Sequence, residues 1–249
     1  MTTTENTDKV VKRPDTVALV TGGNKGLGRE TVRRLAELGW TVLLGARDPA
    51  RGQATADELT NSGDVRFVAV DVTSQESVDA AAAQVNDRFG RLDVLVNNAG
   101  IIGGRNSVED TAATDFLACY AVNLLGPVRM THAFLRLLQA AENPRIVMVS
   151  SGMGSLTVTS DPERGESSIH SLVYPSSKTA LNMVTTQYAK ALHGIKVNAA
   201  DPGYTATDLN NHSGFQTVTQ GTDAIVRLAT LGPDGPTGGF FDRTGPVPW

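Results

Sequence analysis

Apolar residues along this chain fall into two alternating patterns. Short, nearly continuous runs rich in β-branched residues occupy Thr16–Val20, Thr41–Arg47, Val65–Val72, Leu92–Val96, Arg145–Val149, Ile195–Ala200 and Gly239–Phe241. Runs of this kind, bounded by turn formers, predict buried strands. Between them apolar positions recur with helical spacing, as at Val32, Leu35, Ala36 and Leu38 in the stretch Arg29 to Leu38, which Gly39 closes. Asp48-Pro49 opens a second helix reaching about Leu59, and Thr73 or Ser74 caps a third from Gln75 to Arg88, closed by Gly90. A long helical region runs from Ala112 to about Ala141, bent near Gly126-Pro127. Tyr174 to His193 reads as a strong helix with Leu181, Val184, Tyr188 and Leu192 as its buried stripe, and Asp223 to Ala229 as a short one. Residues 152–173 lose periodicity and read mainly as loop. Strands alternating with helices imply a parallel sheet covered on both faces, because parallel strands need crossover connections.

Composition narrows the class. A chain of 249 residues suits one large α/β domain or two small ones, and no composition shift divides it, so residues 16–249 read as one domain. Met1 to Asp15, polar and turn-rich, reads as a disordered tail. A hydrophobic fraction of 40% is ample for a sizeable core. The net charge of -4 and pI near 5.6 argue against nucleic acid or an anionic membrane as the main partner. Cys119 stands alone and forms no internal disulfide, so the cytoplasm is the expected compartment. His132, His170, His193 and His212 show no metal-ligand spacing, and no metal is expected. No apolar run is long enough to span a bilayer, and no secretory signal pattern is seen.

The chemistry gathers around Thr21-Gly22-Gly23-Asn24-Lys25-Gly26-Leu27-Gly28, a glycine-rich turn between the first strand and the first helix. A helix N-terminus offers unpaired N–H groups and a positive dipole end, and glycine lets a phosphate approach the backbone. The spacing, G-x-x-x-G-x-G, differs from the commoner G-x-G-x-x-G, and a tight turn without ligand is the bland reading. In an open parallel sheet, ligands bind beyond the carboxyl ends of the strands, where strand order reverses. Arg47, Asp71, Asn98 to Gly100, Ser151 and Pro202-Gly203 all follow strand ends. Tyr174 and Lys178 share a helix face one turn apart, and an ammonium beside a phenol is expected to lower its pKa toward neutrality, making a general acid. Such pairs are also common by chance. Ser151 can hydrogen-bond a developing oxyanion or simply cap a turn. Asn123, a poor helix former placed mid-helix, marks a break, a bound water or plain exposure.

As a set these residues resemble the short-chain dehydrogenase/reductase family over Thr16 to Phe241. The matching pieces are Thr21-Gly22-x-x-x-Gly26-x-Gly28, Asn97-Asn98-Ala99-Gly100, Asn123, Ser150-Ser151, Tyr174-x-x-x-Lys178 and Pro202-Gly203, in the family's order. Gly22 to Gly26, Ala46-Arg47-Asp48 with Arg51-Gly52-Gln53, and Trp249 are similar to its carbonyl reductases. The resemblance implies a Rossmann-type α/β fold, a doubly wound parallel sheet of about seven strands. It also implies an enzyme that reduces a small-molecule ketone, aldehyde or quinone. Tyr174 would be the acid, Lys178 its partner and ribose ligand, Ser151 the support of the substrate oxygen and Asn123 the holder of a relay water. The implied cofactor set is Gly22, Asn24, Lys25, Gly26, Leu27, Arg47, Asp71, Val72, Asn98, Ala99, Gly100, Tyr174, Lys178, Pro202, Gly203, Thr205 and Thr207.

NADP(H) is the expected cofactor. Neutral Ala46 stands where an NAD site needs an acid, and Arg47 with Lys25 can grip a 2′-phosphate. Ile102, Met153, Leu156, Tyr204 and Phe215 are the candidate substrate wall, each equally explicable as loop packing. Tyr174 follows Ser151 by 23 positions, longer than the family's usual gap. The insertion, about Thr157 to Ser171, is placed to cover the substrate mouth or block an oligomer contact, and its charges Asp161, Glu163, Arg164 and Glu166 read as a solvated face. A homodimer or homotetramer through the helix from Ala112 is slightly favoured over a monomer. The alternatives are a non-catalytic dinucleotide sensor, which has no need of Tyr174 and Lys178, and a sugar-nucleotide epimerase or dehydratase. The latter would want a larger domain after Gly203.

Overall fold

Along β1 (Val17–Thr21) the side chains alternate between two cores. Ala18 and Val20 join one buried cluster, Val17 and Leu19 the other. That alternation is the strand's period of two, with apolar residues on both faces because both faces are covered. The computed structural model describes residues 15–104 and 106–249. The predicted tail, Met1 to Asp15, lies outside the described residues except for Asp15.

The described residues form seven strands and nine α-helices. After β1 come α1 (Gly26–Glu37), β2 (Thr41–Ala46), α2 (Pro49–Glu58), β3 (Val65–Ala69), α3 (Gln75–Phe89) and β4 (Val94–Asn97). Then follow α4 (Ala113–Asn123), α5 (Leu125–Gln139), β5 (Arg145–Val149), α6 (Leu156–Ser160) and α7 (Val173–Ala191). The chain closes with β6 (Lys196–Ala200), α8 (Val218–Gly221), α9 (Asp223–Ala229) and β7 (Phe240–Phe241). All pairings are parallel, in the order β3-β2-β1-β4-β5-β6-β7, so strand order reverses between β1 and β4. This is the doubly wound sheet of the sequence reading. One face buries Val32 and Leu35 of α1 with Ile225 and Leu228 of α9. The other buries Val78 of α3, Phe134 of α5 and Leu181 of α7. Each such side chain, removed from water, contributes about 1.5–3 kcal/mol.

Local signals placed the helix ends. Asp48 accepts the Arg51 N–H at 3.1 Å ahead of Pro49, Ser74 accepts the Ser77 N–H at 3.2 Å, and Gly90 ends α3 at φ 64°. The long helical region breaks at Leu124, because Pro127 has no N–H for the Asn123 carbonyl. Two readings need correction. Residues 152–173 are not mainly loop: Ser155 accepts the Val158 N–H at 3.0 Å and starts α6, and single turns occupy Gly152–Gly154 and Gly165–Ser168. The buried stripe of α7 includes Ser177, Lys178, Asn182 and Thr185, whereas Val184, Tyr188 and Leu192 are only half-buried. Polar side chains go inside there because each finds a partner.

Candidate active site

The glycine turn is built by exclusion. Gly22 and Gly26 take φ of 64° and 51°, and a Cβ on Gly28 would stand 2.1 Å from the Gly22 oxygen. Thr21 Oγ1 accepts the Asn98 and Ala99 N–H groups at 3.0 Å each, and Asn98 Nδ2 donates to the Thr21 and Gly22 carbonyls at 2.8 and 3.3 Å. Asn98 therefore stitches the end of β4 to the turn across the switch point. No side chain caps the first turn of α1, which leaves its N–H groups open to an anion. Asn24 and Leu27 are half-buried beside them.

At the end of β2, Ala46 is buried and Arg47 exposed; Arg47 makes no ion pair among the described residues. Asp71 accepts the Thr73 N–H and hydroxyl at 2.9 and 2.7 Å. Those bonds, with the charges of Arg47 and Arg129, hold its carboxyl below the usual range. Val72 is buried with its side chain toward Gly126 of α5. Lys25, expected to turn to a phosphate, sits 3.3 Å from Asp208, which also receives His212 at 3.0 Å. The Gly203–Asp208 segment returns to the glycine turn, with Thr205 Oγ1 donating to the Pro202 carbonyl at 2.9 Å. The Thr207 side chain would meet a Cβ on Gly26 at 3.6 Å. A cleft of ≈ 280 Å³ lies between turn and segment, lined by Asn24, Lys25, Gly26, Arg29, Thr207 and Asp208 among others.

Toward β5 and β6 the remaining groups converge. A Cβ on Gly100 would lie 3.5 Å from Asn123 Oδ1 and 3.7 Å from Lys178 Nζ. Lys178 donates to the Val149 carbonyl at 2.7 Å and lies 5.7 Å from the Tyr174 ring centre. The expected lowering of the Tyr174 pKa is reversed. Burial pushes the phenol up to about 12, opposed by its contact with the Ser151 hydroxyl and reinforced by the charge of Asp201. Burial also pushes Lys178 down to about 8. The penalty for holding any charge in this dry corner outweighs what the two groups do for each other.

Asn123 is not mid-helix but the last residue of α4, and its side chain is held from several sides. Its Oδ1 accepts the Ile101 N–H at 2.9 Å, while Nδ2 faces the Ile101 carbonyl, Ser177 Oγ and Cys119 Sγ at 2.9, 3.0 and 3.2 Å. Both amide hydrogens are committed, and only the second lone pair of Oδ1 is left for a water. Ser177, Cys119 and Asn182 escaped the sequence reading. Asn182 accepts the Ser150 hydroxyl at 2.6 Å and donates to the Gly154 carbonyl at 3.1 Å. Its spacing of one turn from Lys178 was the available signal. Of the candidate substrate wall, Ile102 and Met153 are half-buried, whereas Leu156, Tyr204 and Phe215 are 68%, 48% and 82% exposed. Tyr204 and Phe215 stack edge to face at 6.0 Å, and Ile169 in the insertion and Leu172 just after it are likewise exposed, so these side chains do not line a closed pocket. The Pro248 and Trp249 carbonyls brace the start of α6 through Ser155 and Thr157.

Comparison with known proteins decides the family. A sequence profile described as short chain dehydrogenase matches residues 16–216. The chain belongs to the short-chain dehydrogenase/reductase family. It is 32% identical to "(-)-isopiperitenone reductase" of Mentha piperita over 91% of this chain and 96% of that one. It is 34% identical to "(+)-neomenthol dehydrogenase" of Arabidopsis thaliana over 91% and 95%. Among solved structures, NADPH-bound carbonyl reductase from chicken fatty liver superposes with a TM-score of 0.83 at 28% identity, covering 94% of this chain and 99% of that one. As a member of this family the chain is an oxidoreductase that binds a nicotinamide dinucleotide and reduces carbonyl compounds. No helix among the described residues is long and apolar enough to cross a membrane.

Proposed function

We propose that the chain is an NADPH-dependent reductase of ketones with bulky apolar bodies, with Tyr174 as the proton donor. The observation that carries this reading is the convergence of Ser151, Tyr174, Lys178 and the Asn123–Gly100 contact at the ends of β4, β5 and β6, beside a glycine turn no side chain caps. The turn fits a dinucleotide, since its glycines let it fold this tightly and no side chain caps the first N–H groups of α1. Arg47, exposed beside neutral Ala46 and without an ion pair among the described residues, would hold a 2′-phosphate with its planar fork of donors. Lys25 would join it by exchanging Asp208 for the phosphate. Gly22, Asn24, Gly26 and Leu27 would face the pyrophosphate, and Asp71, Val72 and Asn98 to Gly100 the adenosine. Pro202, Gly203, Thr205 and Thr207 would flank the nicotinamide.

When bound, the reduced nicotinamide supplies a hydride to the carbonyl carbon. Tyr174 donates its proton to the carbonyl oxygen. A phenol pushed up to about 12 is protonated throughout the physiological range, as reduction requires. Ser151 donates a hydrogen bond to the same oxygen. Lys178, at about 8, still carries its charge at neutral pH and would hold the ribose. With both Asn123 amide hydrogens committed, its backbone carbonyl, denied a helical partner by Pro127, is the acceptor for a relay water. The exposed apolar side chains of Leu156, Tyr204 and Phe215 in the rim loops favour an apolar substrate, in keeping with relatives named for isopiperitenone and neomenthol.

A panel of menthone, isopiperitenone, a quinone and an aromatic aldehyde, followed by NADPH oxidation, tests the substrate class. Tyr174→Phe should lower kcat by about 10²–10⁴-fold while NADPH titration shows unchanged affinity. Retention of more than about a few per cent of kcat would overturn the role of Tyr174.

A further inference from the structure

Glu166 sits in the insertion, on the turn Gly165–Ser168. Glu163 and Arg164 face solvent as the sequence reading expects, but Glu166 turns inward and its side chain is 29% exposed. There it meets Asp201, buried at the end of β6. A Cβ on Gly152 would stand 3.0 Å from both Glu166 Oε1 and Asp201 Oδ2, so the two carboxyl groups converge on the residue that follows Ser151. The other Asp201 oxygen accepts the Gly203 N–H at 2.9 Å. Glu166 Oε1 and Asp201 Oδ2 therefore lie within about 6 Å of each other, a range at which like charges, one of them buried, disfavour joint ionisation.

We propose that Asp201 and Glu166 share one proton, and that this carboxyl–carboxylate bond fastens the 157–171 insertion over the substrate mouth. The mouth is that of the reading above, on which this inference rests. The proton belongs to Asp201. Arg164 lies 3.6 Å from Glu166 on the same turn. Burial, with Glu166 and Asp242 as like charges, pushes the Asp201 carboxyl up, against the Gly203 and Gly152 N–H groups that pull it down. From α7, Tyr174 and Lys178 also face Asp201, and an ionised Asp201 raises the pKa of both. Lys178 does not neutralise it, being committed to the Val149 carbonyl.

The fastened arrangement thus holds a proton that the open one releases. It is favoured at low pH and lost as pH rises through the raised Asp201 value. Glu166 is a positioning residue: losing it raises KM by more than it lowers kcat, the latter only through the charge of Asp201 on Tyr174 and Lys178.

Hydrogen exchange of the 157–171 amides in the full chain, corrected for intrinsic rates, tests this between about pH 5 and about pH 8.5. Wild-type protection should fall by up to about tenfold per pH unit once Asp201 ionises, as release of one proton dictates. Glu166→Gln, whose amide donates permanently to ionised Asp201, should stay protected throughout. Glu166→Ala should be unprotected throughout, with unchanged global unfolding. Menthone KM should follow the same pattern. Wild-type protection that ignores pH, or a Glu166→Gln variant that keeps the wild-type pH dependence, would overturn the pair. The expected exchange pattern without menthone turnover would support the pair and count against the reductase reading alone.

Discussion

Lys178 should make the protein less stable, and the deficit should shrink as pH rises. The side chain is 4% exposed, and burial lowers its pKa from 10.5 to about 8 despite the favourable charges of Cys119 and Asp201. Below about 8 the folded protein holds a buried ammonium that the unfolded chain holds in water, so the cost is fully present there. Between about 8 and 10.5 the folded state alone releases the proton and the cost fades. At 1.36 kcal/mol per unit the deficit is about 3 kcal/mol at pH 7 and about 1.5 kcal/mol at pH 9.5.

Lys178→Met keeps the unbranched stem and removes the charge. It also strands the Val149 carbonyl, which now accepts Lys178 at 2.7 Å, at a cost of about 1–3 kcal/mol. That loss offsets the gain at neutral pH but does not titrate. The decisive quantity is therefore the slope: the stability of Lys178→Met minus that of wild type should fall by about 2 kcal/mol from pH 7 to pH 9.5. Urea denaturation of both proteins at half-unit pH steps measures it, and taking the difference cancels the other titrating tyrosines. Two curves that run parallel would refute the claim that this lysine is charged and buried.

Three further substitutions probe the same geometry. Gly28→Ala puts a methyl group 2.1 Å from the Gly22 oxygen, so the turn must open; about 1–3 kcal/mol of stability and most NADPH affinity should be lost, read by thermal unfolding and fluorescence titration. Wild-type affinity in that variant would show that the turn is not the cradle. Arg47→Ala should lower kcat/KM for NADPH by about ten- to a hundredfold, the worth of one charge-assisted hydrogen bond, and leave NADH unaffected. Lys25→Ala should lose less, because Lys25 is already paired with Asp208. An equal loss with both cofactors would remove the 2′-phosphate assignment.

What the sequence determined by itself is whatever depends on neighbours along the chain. The strand runs, the caps at Asp48 and Ser74, the stop at Gly90 and the bend forced by Pro127 are local, and each appears within about three residues of where the pattern puts it. Alternation of strand and helix then left a doubly wound parallel sheet, and with it a rim where the glycine turn, Asn98, Ser151, Tyr174 and Pro202 all gather. Only the tertiary structure decided what those groups experience there. One-turn spacing predicted that Lys178 would lower the Tyr174 pKa, but spacing says nothing about how much water remains, and burial drives the phenol the other way. The partners of Asn123 come from Ile101 and Ser177, at separations of 22 and 54 residues. Glu166 reads as one charge in a solvated run until the insertion folds it against Asp201. Desolvation and charge coupling depend on which segments close over a group, and that is set by packing between residues far apart in the chain.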